Sequence, residues 1–270
     1  MYFFHSHQAC HYSFPLYFRP SLGLAHDFKG SFMTYCVAIS VNAGMVFCSD
    51  SRTNAGVDQI STYSKMFRFE DLGPDRKFVV LTAGNLATTQ ATMSQLKKDV
   101  RQNAETSLAT VASVGEAADY LGEVSKSQQD KHAGNNAFHA SFILGGQIRG
   151  SEHRIVMIYP EGNHITSSKD TPFLQIGESK YGKPILDRIL ELETPLETSA
   201  LCALVSMDST MRSNLTVGPP IELMIYEADS FRFAPYYRYA EDSEFLRNLK
   251  KSWDNRLKEA FHQLPPLELA

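Results

Sequence analysis

The chain has 270 residues, 43% hydrophobic and 21% charged, with a formal net charge of -4. That length supports a substantial core in one large domain or two small ones, and the mild acidity offers no electrostatic footprint for nucleic acid or an anionic membrane. No apolar run reaches the roughly 18 residues that span a bilayer. The four cysteines (Cys10, Cys36, Cys48 and Cys202) follow no CxxC or Cys/His ligand spacing, so a reducing cytoplasm is expected, with neither a disulfide framework nor a metal site.

The first 32 residues differ from the rest. They carry nine aromatics and four of the nine histidines, without the period of a strand or a helix. Polar residues between His5 and His11 interrupt any apolar stretch, which argues against a secretory leader. A cleaved pro-segment, an ordered arm, or sequence upstream of a true start at Met33 would each fit, and the last is favoured. Residues 1–33 are therefore read as a non-core extension, 34–241 as one domain and 242–270 as a C-terminal helical extension.

From Tyr35 onward the elements are regular. Tyr35–Val41 and Met45–Ser49 are short apolar strands around the turn Asn42-Ala43-Gly44. Lys77–Thr82 is a further strand ending in Ala83-Gly84-Asn85. Helices follow near Ala87–Gln102, with Met93, Leu96 and Val100 on one face, and Val114–Lys131. Strands are predicted over Phe138–Gly145 and Arg154–Tyr159, helices over Gly182–Leu192 and Leu196–Met207, and strands around Ile221–Tyr226 and Phe231–Tyr236. A charged helix over Ser243–His262 carries Phe245, Leu249, Trp253, Leu257 and Phe261 at intervals of four, before Pro265-Pro266. Consecutive strands alternating with paired helices predict an α+β fold. Two antiparallel sheets stack face to face with helix pairs outside, giving four αββα layers.

The chemically informative residues are Met33-Thr34-Tyr35-Cys36, Ser49-Asp50-Ser51-Arg52, Ser64-Lys65 and Thr82-Ala83-Gly84-Asn85. A threonine at the first position of a chain carries both a hydroxyl and an α-amine. The amine's ordinary pKa of about 7.7–8.0 suits it as general base for that hydroxyl. An upstream peptide bond would abolish that basicity, so this chemistry at Thr34 requires that nothing precede it. If Met33 is the initiator, methionine removal leaves Thr34 first.

Thr34, Asp50, Arg52 and Lys65, in this order and near this spacing, resemble the proteasome β-type and HslV peptidases, and Ala83-Gly84-Asn85-Leu86-Ala87 looks like their glycine turn. The stretches MTYCVAI, SDSRTNAG and IGESKYGKPILDR look most like the bacterial Anbu class of proteasome-like proteins. The resemblance covers Thr34 to about Tyr239 and implies an N-terminal-nucleophile (Ntn) hydrolase fold and a threonine endopeptidase. In that reading Thr34 attacks, and Lys65 lowers the effective pKa of its hydroxyl. Asp50 holds Lys65, Gly84 offers an N–H to the oxyanion, and Arg52 supports the hairpin or the substrate cleft.

Ser179, in Gly177-Glu178-Ser179, aligns with a serine that orders the amine, although Glu178 intrudes. Near Asp208–Leu215, Ser213-Asn214 stands where the family has Ser-Gly. Thr210 stands where it has Asp, which leaves Asp208 to take that role.

The resemblance further implies a homo-oligomeric ring or spiral acting on polypeptides or peptides without a cofactor. The chain has no nucleotide motif, so any ATPase would be a separate chain. Two other functions remain open: an Ntn amidohydrolase for a small amide or special peptide linkage, and a non-catalytic assembly subunit. The scattered histidines 132, 139, 153, 164 and 262 and the thiol of Cys36 are read as structural.

Overall fold

The computed structural model describes residues 34–54, 60–131, 136–233 and 235–267. The N-terminal extension, Cys10 and His132 lie outside these residues.

The first sheet is built on the hairpin of β1 (Tyr35–Val41) and β2 (Gly44–Ser49). It is completed by β10 (Phe173–Gly177), β11 (Ile221–Glu227) and β12 (Tyr236–Tyr239), in the order β10-β1-β2-β11-β12. The second sheet runs β5-β6-β7-β8-β9. Its strands are β5 (Met66–Phe69), β6 (Arg76–Gly84), β7 (Ala140–Ile148), β8 (Arg154–Ile158) and β9 (His164–Thr166). All pairings in both sheets are antiparallel. A small ribbon of β3 (Arg52–Asn54) and β4 (Ile60–Thr62) projects beside them.

Alternation along each strand produces the layers. Cys36, Ala38, Phe47, Leu81, Ile143 and Met224 point inward and form a core between the sheets. Tyr35, Val37 and Ile39 point outward and are covered by α3 (Lys183–Ile189) and α4 (Leu196–Ser213). The outer face of the second sheet is covered by α1 (Leu86–Arg101) and α2 (Val114–Asp130) through Met93, Leu96, Leu121 and Phe142. Burying such side chains completely stabilises the fold by about 1.5–3 kcal/mol each. The result is the αββα sandwich expected from the sequence.

The helix starts are set locally. Asn85 caps α1 by accepting from Thr88 N at 3.0 Å. Ser113 caps α2 by accepting from Glu116 N at 3.1 Å, while Glu116 accepts from Ala112 N at 2.9 Å, a reciprocal arrangement close to a capping box.

Three expectations need correction. The last strand begins at Tyr236 rather than Phe231, because Asp229 and Phe231 adopt positive φ values of 61° and 51°, which break an extended run. Helix α4 continues to Ser213 rather than stopping at Met207. Five short strands (β3, β4, β5, β9 and β10) had not been expected. C-terminal α5 (Glu244–His262) rests on α4 through Leu246, Leu249 and an Arg212–Asp254 ion pair, and leaves Phe245, Leu257 and Phe261 exposed.

Candidate active site

Thr34 enters β1 at one end of the sandwich. It shares parity with Cys36 and Ala38, so its side chain belongs to the face between the sheets. Its carbonyl accepts from Glu178 N at 2.8 Å. Gly177 makes this approach possible: its φ is +82°, and a Cβ there would lie 2.0 Å from Thr34 O.

Asp50, just past β2, is tied to the residue after Thr34. Its N–H donates to Tyr35 O at 3.2 Å, and its Oδ1 accepts from Tyr35 N at 3.0 Å. The same Oδ1 accepts from Lys65 Nζ at 2.7 Å, and Oδ2 accepts from Gly218 N at 3.2 Å. Complete burial pushes the Asp50 carboxyl above the usual carboxylate range, while the Lys65 charge and these N–H donors pull in the opposite direction.

Lys65 also donates to Arg52 O at 2.7 Å, and its own carbonyl accepts from Thr82 N at 3.0 Å, which anchors it to β6. Both members of the Lys65–Asp50 pair are buried. Such a pair is strongly oriented by its surroundings and scarcely screened by solvent.

Two residues beyond Thr82, Gly84 has φ +105°, and a Cβ there would lie 2.4 Å from His139 O. The glycine is therefore demanded by the backbone crossing, and the open surface it leaves faces the same end of the sandwich. Cys36 reaches Thr82 O through Sγ at 3.6 Å, and burial and the nearby Asp50 carboxylate push its thiol well up, so it behaves as a core residue.

The remaining expected site residues are placed differently from one another. Arg52 Nη1 donates to Leu215 O at 2.8 Å, and its guanidinium lies against Gly218, where a Cβ would be 2.4 Å from Cζ. It thus braces the 215–218 loop that delivers Gly218 N to Asp50. Ser179 takes part through its carbonyl, which accepts from Gln175 Nε2 at 3.3 Å; that amide also donates to Tyr35 OH at 2.6 Å.

Asp208 is not brought to this cluster. It is half-buried on α4, burial pushes its carboxyl up, and the charges acting on it are Lys250 and Asp254 of α5 and Arg212 of its own helix. Ser213 is exposed at the last position of α4.

Two residues that sequence reasoning had set aside do reach the site. Asn214 Nδ2 donates to Glu178 Oε2 at 3.3 Å, while Asn214 Oδ1 accepts from Thr216 N at 3.0 Å and Thr216 Oγ1 at 2.6 Å. Asn214 thus connects the end of α4 to the side chain of Glu178, whose N–H holds Thr34 O. The only hint in the sequence was the Ser-Asn departure from Ser-Gly.

Among the described residues no group of three or more His, Cys, Asp and Glu side chains could hold a metal ion, and no helix is long and apolar enough to cross a membrane. His153 and His164 are engaged with Val41 O at 2.8 Å and Asp119 Oδ1 at 3.0 Å.

Solved structures place this arrangement. The chain is similar to Anbu (ancestral beta-subunit) from Yersinia bercovieri, with 48% identity and a TM-score of 0.84, over 88% of this chain and 100% of that one. The chain belongs to the Anbu family. Anbu is the ancestral β-subunit within the proteasome-like Ntn hydrolases. Anbu from Hyphomicrobium sp. strain MC1 matches with 43% identity and a TM-score of 0.80, over 87% of this chain and 100% of that one. The Anbu complex from Pseudomonas aeruginosa, described as a helical assembly, matches with 46% identity and a TM-score of 0.82, over 87% and 98% of the two chains. No family model and no curated protein matches the sequence.

Proposed function

We propose that the protein is a threonine-type peptidase that uses Thr34 as an N-terminal nucleophile, within a homo-oligomeric ring or spiral in the cytoplasm. The observation that carries this reading is the buried Lys65–Asp50 pair at 2.7 Å, whose carboxylate also grips Tyr35 N at 3.0 Å and so fixes the ammonium relative to the start of β1.

In this mechanism Thr34 must be the first residue. Its neutral α-amine takes the proton from the Thr34 hydroxyl, and the Lys65 ammonium stabilises the alkoxide character that develops. The oxygen attacks the substrate amide carbon, and the oxyanion is met by the N–H at Gly84. The protonated amine then gives its proton to the leaving nitrogen, an ester forms on Thr34, and water activated by the same amine hydrolyses it. No cofactor is needed, and Arg52 supports the cleft from the side.

Assembly is supported by the P. aeruginosa relative's helical complex and by α5, which leaves Leu257 and Phe261 exposed side by side one turn apart. A second copy of the chain is the occupant we assign to that face. Turnover of extended peptides by a chain beginning at Thr34, abolished by Thr34→Ala, tests the function. Cleavage of one short amide alone would indicate the small-amide hydrolase instead. Inertness to both would indicate a non-catalytic assembly subunit.

A further inference from the structure

The active end holds a second buried carboxylate that the mechanism above does not use. Glu222, the second residue of β11, is only 4% exposed. It stands opposite Ser49 in the β2–β11 register, with its side chain in the space between the sheets alongside Met224 and Tyr226. A carboxylate there is costly unless its oxygens are satisfied. Three hydroxyls satisfy it: Ser64 Oγ donates to Oε2 at 2.8 Å, Ser51 Oγ donates to Oε2 at 3.3 Å, and Tyr236 OH donates to Oε1.

Two of those donors are the chain neighbours of the catalytic pair. Ser51 lies between Asp50 and Arg52, whose carbonyl receives Lys65, and Ser64 immediately precedes Lys65. One oxygen, Glu222 Oε2, therefore clips together the two backbone segments on which the Lys65–Asp50 contact depends. Ser64 Oγ also accepts from Met66 N at 3.3 Å, which fixes the corner leading from Lys65 into β5.

We infer that Glu222 is a positioning residue for the Lys65–Asp50 pair, acting through the hydroxyls of Ser51 and Ser64 to hold the ammonium at its catalytic distance. This rests on the hydrolase reading above for its catalytic consequence, but not for its geometry. Purely structural filling of the site would be served by any side chain of this size. Positioning requires an acceptor that takes both hydroxyls at one oxygen. A glutamine can keep this arrangement, with its amide oxygen toward the two serines and its NH2 toward the Tyr236 hydroxyl, whereas a methionine keeps the length and offers neither serine a carboxylate oxygen.

The test compares Glu222→Met with the wild-type chain beginning at Thr34, reading peptide turnover and the crystallographic Lys65 Nζ–Asp50 Oδ1 separation. The expected result is a kcat lowered by about ten- to a hundredfold, as for small misplacements of catalytic groups, with KM within about twofold. Lys65 should be displaced from Asp50. Tyr236→Phe, which removes only the donor to Oε1, should retain kcat and the pair's geometry. If Glu222→Met fails to fold, the double change Ser51→Ala with Ser64→Ala removes the same two links while keeping the carboxylate, and should reproduce the kcat loss.

Wild-type kcat together with an unchanged 2.7 Å contact in either variant would overturn the inference. If the wild-type chain itself proves inert, the hydrolase reading is lost, while the Lys65–Asp50 separation in the variant crystals still decides the role of Glu222.

Discussion

Asp50 and Tyr35 are bonded to each other twice: Asp50 N–H donates to Tyr35 O at 3.2 Å, and Tyr35 N–H donates to Asp50 Oδ1 at 3.0 Å. Because Tyr35 follows Thr34, this double link ties the carboxylate that holds Lys65 to the peptide next to the nucleophile. Position and charge at the site are thus set by the same residue. The consequences can be measured separately.

Lys65→Ala should destabilise the fold by about 3–5 kcal/mol in urea titrations, because it leaves the Asp50 carboxylate buried without its cation. Asp50→Asn should cost a similar amount, since it leaves the Lys65 ammonium buried without its anion and its amide oxygen can accept from only one of the Tyr35 and Gly218 N–H groups. Both should lose most of their peptide turnover. A loss under about 1 kcal/mol in either variant would show that the buried pair is not the source of the cost.

The pH dependence follows from the direction of the Asp50 shift. Burial raises its folded-state pKa above the unfolded value of about 3.9. Stability from this group is therefore fully present below that unfolded value and is lost as pH rises through the raised folded value. Activity moves the other way, because protonating Asp50 on the acid side releases its hold on Lys65. The acid limb of kcat should accordingly lie above the ordinary carboxylate range and be missing from the residual activity of Asp50→Asn.

Asp208 and Asn214 should exchange the importance that sequence reasoning assigned to this segment. Asp208→Asn should leave kcat unchanged, because Asp208 is surrounded by Lys250, Asp254 and Arg212 rather than by the site. Its stability at pH 7 should equal or exceed that of the wild type, and the difference should shrink as pH falls through the raised Asp208 value. Asn214→Ala breaks the bond to Glu178 and should lower kcat by about tenfold to a hundredfold, at a stability cost of about 1 kcal/mol.

The paired change Leu257→Glu with Phe261→Glu should leave the subunit folded, since both side chains are exposed. It should shift the sedimentation profile toward smaller species if that face of α5 meets a second copy. An unchanged profile would remove α5 from the interface.

The layered fold was legible because its central strands are continuous apolar runs, as in Tyr35–Val41, and its helices are amphipathic, as in Leu86–Arg101. The five unforeseen strands are only three to five residues long, too short for a period to stand out from their loops. The Lys65–Asp50 juxtaposition was legible only through resemblance, since nothing in their spacing dictates contact. Asp208 was misplaced by helical phase. Ser206 and Thr210 are four apart on the face turned into the core, and Asp208 lies about 200° round from Ser206. Glu178 and Asn214 showed only as departures from the family's turns and Glu222 gave no signal, because partners distant in the chain determine what each one does.

The most direct test of the central claim is intact-mass analysis, with fragment mapping, of a chain beginning at Thr34 after exposure to a hydroxyl-acylating peptide β-lactone. The account predicts a single acyl adduct, located on Thr34, and its absence from Thr34→Ala and from a chain that retains a residue ahead of Thr34. Peptide turnover that persists without an adduct, or an adduct of equal yield in the extended chain, would contradict it.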